Sequence, residues 1–168
     1  MPAWHLAQIN IGRLAADEGD PRVQPFFDEL DRINALADVS PGFVWRLQSE
    51  SGNATEFKPT ADPRFIVNLS VWESAESLFE FVYRSAHTPV MARRREFFER
   101  LSGAHQTLWW VPAGHQPTID EGLARIWHLE HYGPTAHAFT FKARFPAPDE
   151  RPGPPEDMNP DPWCQGLA

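Results

Sequence analysis

His87 and Arg94 form the pairing in this chain best suited to acid–base chemistry. An imidazole exchanges a proton near neutral pH and can also serve as a haem axial ligand. A guanidinium can hold a carboxylate or the developing oxygen of an enolate. His87 therefore reads as a candidate general base or axial ligand. Its structural alternative is a histidine bonding a backbone group where the chain breaks at His87-Thr88-Pro89. Arg94 reads as a candidate electrostatic stabiliser. Its alternative is a stem lying along apolar surface, with its head reaching solvent or an acid such as Glu73.

Both residues depend on the helices that carry them. Ser74 is a fitting N-cap for a helix with Ala75, Leu78, Phe79 and Val82 on one face. Thr88 can cap a second helix that has Pro89 at its first position and a stripe of Val90, Phe97 and Leu101. At 100° per residue Arg94 falls within that stripe, whereas Arg93 sits at its edge and Arg95 away from it. Among the three arginines, Arg94 is the unusual one.

The strand before these helices supplies a second group of candidates. From Arg64 to Trp72, Phe65, Val67, Leu69 and Val71 alternate with Ile66, Asn68, Ser70 and Trp72. Asn68 and Ser70 are candidate hydrogen-bonding groups for a pocket, or simply mark a wetter face. Asn10 plays the same role in the first strand, Ala3 to Gly12. Trp4, Trp45, Trp72 and Trp110 could wall a flat aromatic cavity, the alternative being core or subunit interface. His115, in the Pro112-to-Thr118 turn, reads as structural. His128 and His131 stand three apart on a later helix and would need a third ligand to hold a metal. The chain has no glycine-rich phosphate loop, nucleophile elbow or zinc-protease histidine pair, so the cofactor expectation is none, with haem on His87 as the exception.

Composition narrows the classes. The chain has 168 residues and a net charge of -8, which argues against nucleic acid. Cys164 is the single cysteine, so no intrachain disulfide forms, and a reducing cytoplasm is the expected compartment. The first twenty residues do not read as a signal peptide, and no window approaches a membrane span.

Further elements follow from periodicity. A helix is expected from Pro25 to Asp38 with Phe26, Leu30, Ile33 and Ala37 on its inner face. Strands are expected over Phe43–Ser49 and His105–Pro112. Thr118 and Glu121 make a capping box for a helix reaching Tyr132, and a fifth strand is expected over Ala138–Phe145. The body spans residues 1–148. Residues 149–168 read as an extended or disordered acidic tail, since proline and acid dominate from Pro146 onward. The order strand–helix–strand, strand–helix–strand is an α+β, ferredoxin-like split βαβ repeat with helices on one sheet face. The other face is apolar too, so a homodimer closing two sheets into an α/β barrel is expected.

Several blocks in order carry a resemblance. They are Asn34-Ala-Leu-Ala37, Ser40-Pro-Gly-Phe-Val-Trp-Arg-Leu-Gln48, Asn68-Leu-Ser-Val-Trp-Glu-Ser74, Phe81-Val-Tyr-Arg-Ser85 with His87, Trp109-Trp-Val-Pro-Ala-Gly-His-Gln-Pro-Thr118, and Gly133-Pro134 with Ala138-Phe-Thr-Phe141. From Trp4 to about Pro148 the chain resembles an uncharacterised bacterial domain family of the antibiotic-biosynthesis-monooxygenase-like, dimeric α/β-barrel superfamily. The resemblance implies a ferredoxin-like dimer with an added helix and strand. It carries over no catalytic residue. Relatives tend to have Trp-Phe where this chain has Phe97-Phe98, which implies a changed pocket polarity.

Three functions are consistent with these readings. The first is a cofactor-independent monooxygenase or oxidoreductase acting on a hydrophobic, aromatic small molecule. The second is a non-catalytic small-molecule-binding protein, and the third a haem protein.

Overall fold

The structure is a computed structural model and describes residues 2–84, 89 and 92–150. Its elements in chain order are β1 (Trp4–Arg13), α1 (Gln24–Asp38), β2 (Phe43–Arg46), β3 (Phe65–Trp72), α2 (Ala75–Arg84), α3 (Arg94–Phe97), β4 (Gln106–Pro112) and α4 (Ile119–Tyr132). The four strands form one antiparallel sheet in the order β2-β3-β1-β4. That order, with helices after β1 and β3, is the ferredoxin-like α+β arrangement.

Strand alternation divides the sheet into two faces. One face carries Ala7, Ile9, Val67, Leu69, Val71, Trp109 and Val111, and α4 covers it with Ile119, Leu123 and Ile126. Ile9 is fully buried and lies against Gly122, where an added Cβ would come within 2.4 Å of the Ile9 Cδ1. Glycine at 122 permits this close seating, since a side chain there would have to displace that of Ile9. The apolar face on which the homodimer expectation rested is thus covered in part by α4 of the same chain.

The other face carries Leu6, Gln8, Asn10, Ile66, Asn68, Ser70 and Trp72. Helices α1 and α2 lie over it. Phe26, Leu30, Ile33 and Ala37 of α1 face inward as their spacing requires, joined by Leu78, Phe81 and Val82 of α2. Ser74 Oγ caps α2 by accepting from the Ser77 N–H at 3.1 Å. Phe79 points instead to Tyr83 and Phe141.

Three expectations change. The second helix does not continue to Leu101. It ends at Phe97, because residues 97–99 turn into extended backbone and bond to the end of β1: Ala15 N–H to Phe97 O at 2.8 Å and Glu99 N–H to Arg13 O at 2.9 Å. The fifth strand shrinks to a single bridge to the sheet, in which Phe139 exchanges backbone bonds of 2.9 Å with Leu108, beside a local bridge between Thr135 and Ala138. Thr140 then captures the Ala143 N–H and turns the chain before a ladder can extend. Finally, a register shift between Phe43 and Trp45 breaks the alternation of β2, so Phe43 packs on Trp72 while Trp45 joins the α4 side. Beyond Glu150 the acidic tail lies outside the described residues, as does the His87-Thr88 break.

No helix among the described residues is long and apolar enough to cross a membrane.

Candidate functional site

Between the sheet and helices α1, α2 and α3 lies a cavity of about 180 Å³. That is roughly tenfold or more the space one ordered water needs. Its sheet wall is polar and its helix wall apolar. The contrast follows from the sequence: polar residues at alternate strand positions point inward, against an amphipathic helix face.

The polar wall is a connected set. Across β1 and β3, Gln8 pairs with Ser70 and Asn10 with Asn68. Gln8 Nε2 donates to Asn68 Oδ1 and, at 3.0 Å, to Ser70 Oγ. Trp72 Nε1 also donates to Ser70 Oγ, at 2.9 Å. Gln8 and Ser70 are buried, whereas Asn68 is exposed toward the opening. On the β4 side of Asn10, its cross-strand partner Gln106 also lines the cavity.

Arg94 enters from α3. Its Nη2 donates to Asn10 Oδ1 at 3.3 Å, and its guanidinium lies 5.2 Å from the centre of the Phe98 ring. Burial holds its pKa below the ordinary arginine value. It nevertheless remains charged at neutral pH. Among the described residues no carboxylate lies within 4 Å of it, Glu73 included. Gly12 makes room for this arrangement: a Cβ there would sit 2.7 Å from the Phe98 ring and 3.6 Å from Arg94 Nη2. Phe26 braces the far side of Phe98, edge to face, at 5.0 Å.

The other charged lining residues are already engaged. Arg46 is buried and bonds Asp38 at 2.7 Å and the Gly52 carbonyl at 2.6 Å. Glu29 pairs with Arg32 at 2.6 Å.

Of the residues expected to form a site, Asn10, Asn68, Ser70, Trp72 and Arg94 thus meet in one cavity. Trp45 packs on the opposite sheet face. Trp4 and Trp110 line a separate pocket of about 350 Å³ near Arg144 and Phe145, where Trp110 Nε1 bonds the Phe145 carbonyl at 2.8 Å. The four tryptophans therefore do not wall one aromatic slot. Within the cavity Trp72 has Phe81 stacked on it at 5.1 Å and Phe43 edge-on at 5.4 Å. His87 lies outside the described residues. Sequence reasoning passed over Gln8 and Arg46. Gln8 carried a usable signal, since it shares the face of Asn10 two positions away.

His115, His128 and His131 have local partners. His115 Nε2 lies 2.8 Å from Glu121 Oε2, beside the capped start of α4. His128 contacts Thr135 at 3.1 Å, and His131 the Trp127 carbonyl at 2.8 Å. Among the described residues no group of three or more His, Cys, Asp or Glu is placed to hold a metal ion.

The fold is a ferredoxin-like α+β arrangement with a cavity between sheet and helices. The chain belongs to the family described as Domain of unknown function (DUF3291), which matches residues 5–154. No match is found among curated proteins. Solved structures similar in fold include Rv0793 from Mycobacterium tuberculosis, with 13% identity over 68% of this chain and 99% of that one and a TM-score of 0.46. SnoaB from Streptomyces nogalater, a cofactor-independent oxygenase, has 13% identity over 67% and 95% with a TM-score of 0.40. PA3566 from Pseudomonas aeruginosa has 11% identity over 66% and 95% with a TM-score of 0.43.

Proposed function

We propose that the chain binds a hydrophobic, aromatic small molecule in the cavity beneath α1 and α2 and acts on it as a cofactor-independent monooxygenase or oxidoreductase. The observation that supports this is the two-sided lining. The apolar faces of α1 and α2 accept a ring system, while the sheet offers fixed hydrogen-bonding groups and α3 adds one guanidinium. A cation at that position stabilises the deprotonated form of a phenol or enol. The resulting electron-rich anion is the form able to react with dioxygen without a flavin.

Non-catalytic binding is the second reading. It draws support from the engagement of Glu29 and Arg46, which leaves the described lining without a free acid–base group. Dioxygen uptake separates the two. Purified protein would be mixed with 1-naphthol and 2-naphthol without added flavin or metal, following ligand binding by calorimetry, oxygen by electrode and product by mass spectrometry. Protein-dependent uptake with gain of an oxygen atom supports the enzyme. Binding without uptake supports the carrier, and absence of binding removes both.

A further inference from the structure

The polar wall of the cavity has a direction. Asn68 Oδ1 accepts from Gln8, Ser70 Oγ accepts from both Gln8 and Trp72, and Asn10 Oδ1 accepts from Arg94. Each of these three oxygens already accepts within the protein, while several N–H and O–H groups beside them are unspent. The amide NH₂ groups of Asn10 and Asn68 have no acceptor among the described residues. The Ser70 hydroxyl has both lone pairs engaged, so its hydrogen is left to give. Arg94 keeps further N–H groups beyond the one that reaches Asn10. Gln8 Oε1 belongs to a side chain only 5% exposed, and Gln106 at the β4 edge carries an amide that can accept as well as donate.

Charge points the same way. Glu29 and Arg46 have opposite partners, while Arg94 has none among the described residues. A half-buried guanidinium without a counter-charge is unfavourable. An anion entering the cavity would relieve that and gain a charge-assisted hydrogen bond.

We infer that the ligand is a hydrophobic organic anion with oxygen acceptors along one edge. Its carboxylate or enolate oxygen sits at Arg94 and Asn10, and a carbonyl or hydroxyl oxygen further along meets Asn68 and Ser70. The charge of Arg94 disfavours amines and other cations at this end of the cavity. This narrows the ligand of the cavity and rests on the cavity being the binding site.

The test compares two probes of matched shape, 2-naphthoate and neutral 2-naphthamide, by calorimetry at neutral pH on the full chain and on Arg94→Gln and Arg94→Lys. The full chain is expected to bind the carboxylate ~10-fold or more tightly than the amide. Arg94→Gln should abolish that preference while leaving amide binding in place, and Arg94→Lys should retain part of it. Equal affinities in the unmodified protein, or a preference that survives Arg94→Gln, would overturn the inference and leave the cavity reading standing. Failure of both probes to bind the unmodified protein would remove the cavity reading and this inference with it.

Discussion

Arg94 and Asn10, 84 positions apart in the chain, meet across 3.3 Å at the mouth of the polar wall. The contact joins a short helix to the central strand, and it leaves the guanidinium partly desolvated without a carboxylate beside it. Such an arrangement costs stability in the empty protein. The cation–π contact with Phe98 recovers about 0.5–2 kcal/mol, and the bond to a neutral amide adds about 1 kcal/mol. Neither replaces a counter-ion. Arg94→Met keeps the stem's volume and removes the charge. It is expected to raise the melting temperature by a few degrees while weakening binding of an anionic probe. Differential scanning calorimetry with and without 2-naphthoate checks both halves; a lower melting temperature would show that the guanidinium is already well compensated.

Gly12 sets the depth at which Phe98 lies against β1. Its backbone is not in the left-handed region, so the need for glycine here is steric and not conformational. Gly12→Ala would push the Phe98 ring toward Phe26 and carry Arg94 with it. The expected loss is about 1–3 kcal/mol, typical of overpacking. Urea unfolding measures it, and a crystal structure of the variant would show Arg94 displaced from Asn10. An unshifted ring would mean that the gap is filled elsewhere.

How much of this was legible beforehand follows from the range of each cause. The alternation of β3 and the 3.6-residue spacing of α1 are local patterns, so Asn68, Ser70, Trp72 and the inner face of α1 could be read directly. Arg94 stood out because it interrupts an apolar stripe. The role of Trp45 was not legible, because a register shift in β2 depends on its pairing with β3. The fifth strand failed for a similar reason: Phe139, Phe141 and Phe145 alternate like a strand, but Thr140 turns the chain after one bridge. The cover of the second sheet face by α4 is a tertiary outcome. Spacing alone could not separate it from cover by a partner.

Ser70 is the node of the polar wall. Ser70→Ala would strand the buried Trp72 indole N–H and one N–H of the Gln8 amide, whose other N–H still reaches Asn68. Leaving a buried donor unmet costs about 1–3 kcal/mol. Trp72→Phe removes one of those donors, so the double variant should lose less than the sum of the singles, with a coupling of about 0.5–1.5 kcal/mol. Chemical denaturation of the four proteins in the cycle supplies the number. Strict additivity would mean the two side chains do not share the hydroxyl.

Acid should unfold the protein from the α4 side, away from the cavity. Burial raises the Glu121 pKa, but the His115 and Trp109 hydrogen bonds outweigh it and hold the carboxyl below its ordinary value of 4.5. A carboxylate depressed in the fold stabilises it above the unfolded value, and that contribution is lost as pH falls through the folded value. His137 acts at higher pH. Burial, followed by the charges of Arg125 and His128, lowers its pKa from 6.5. A base depressed in the fold is favoured neutral there, so its protonation below 6.5 draws the protein toward the unfolded state. Stability should therefore decline in two stages, first below 6.5 and again below 4.5. His137→Gln should flatten the first stage. Glu121→Gln should lower stability at neutral pH and flatten the second, because the amide has no proton to gain. Melting temperatures across that range test both, and an unchanged acid limb in Glu121→Gln would place the acid sensitivity on other carboxylates, such as Asp62 beside Arg13.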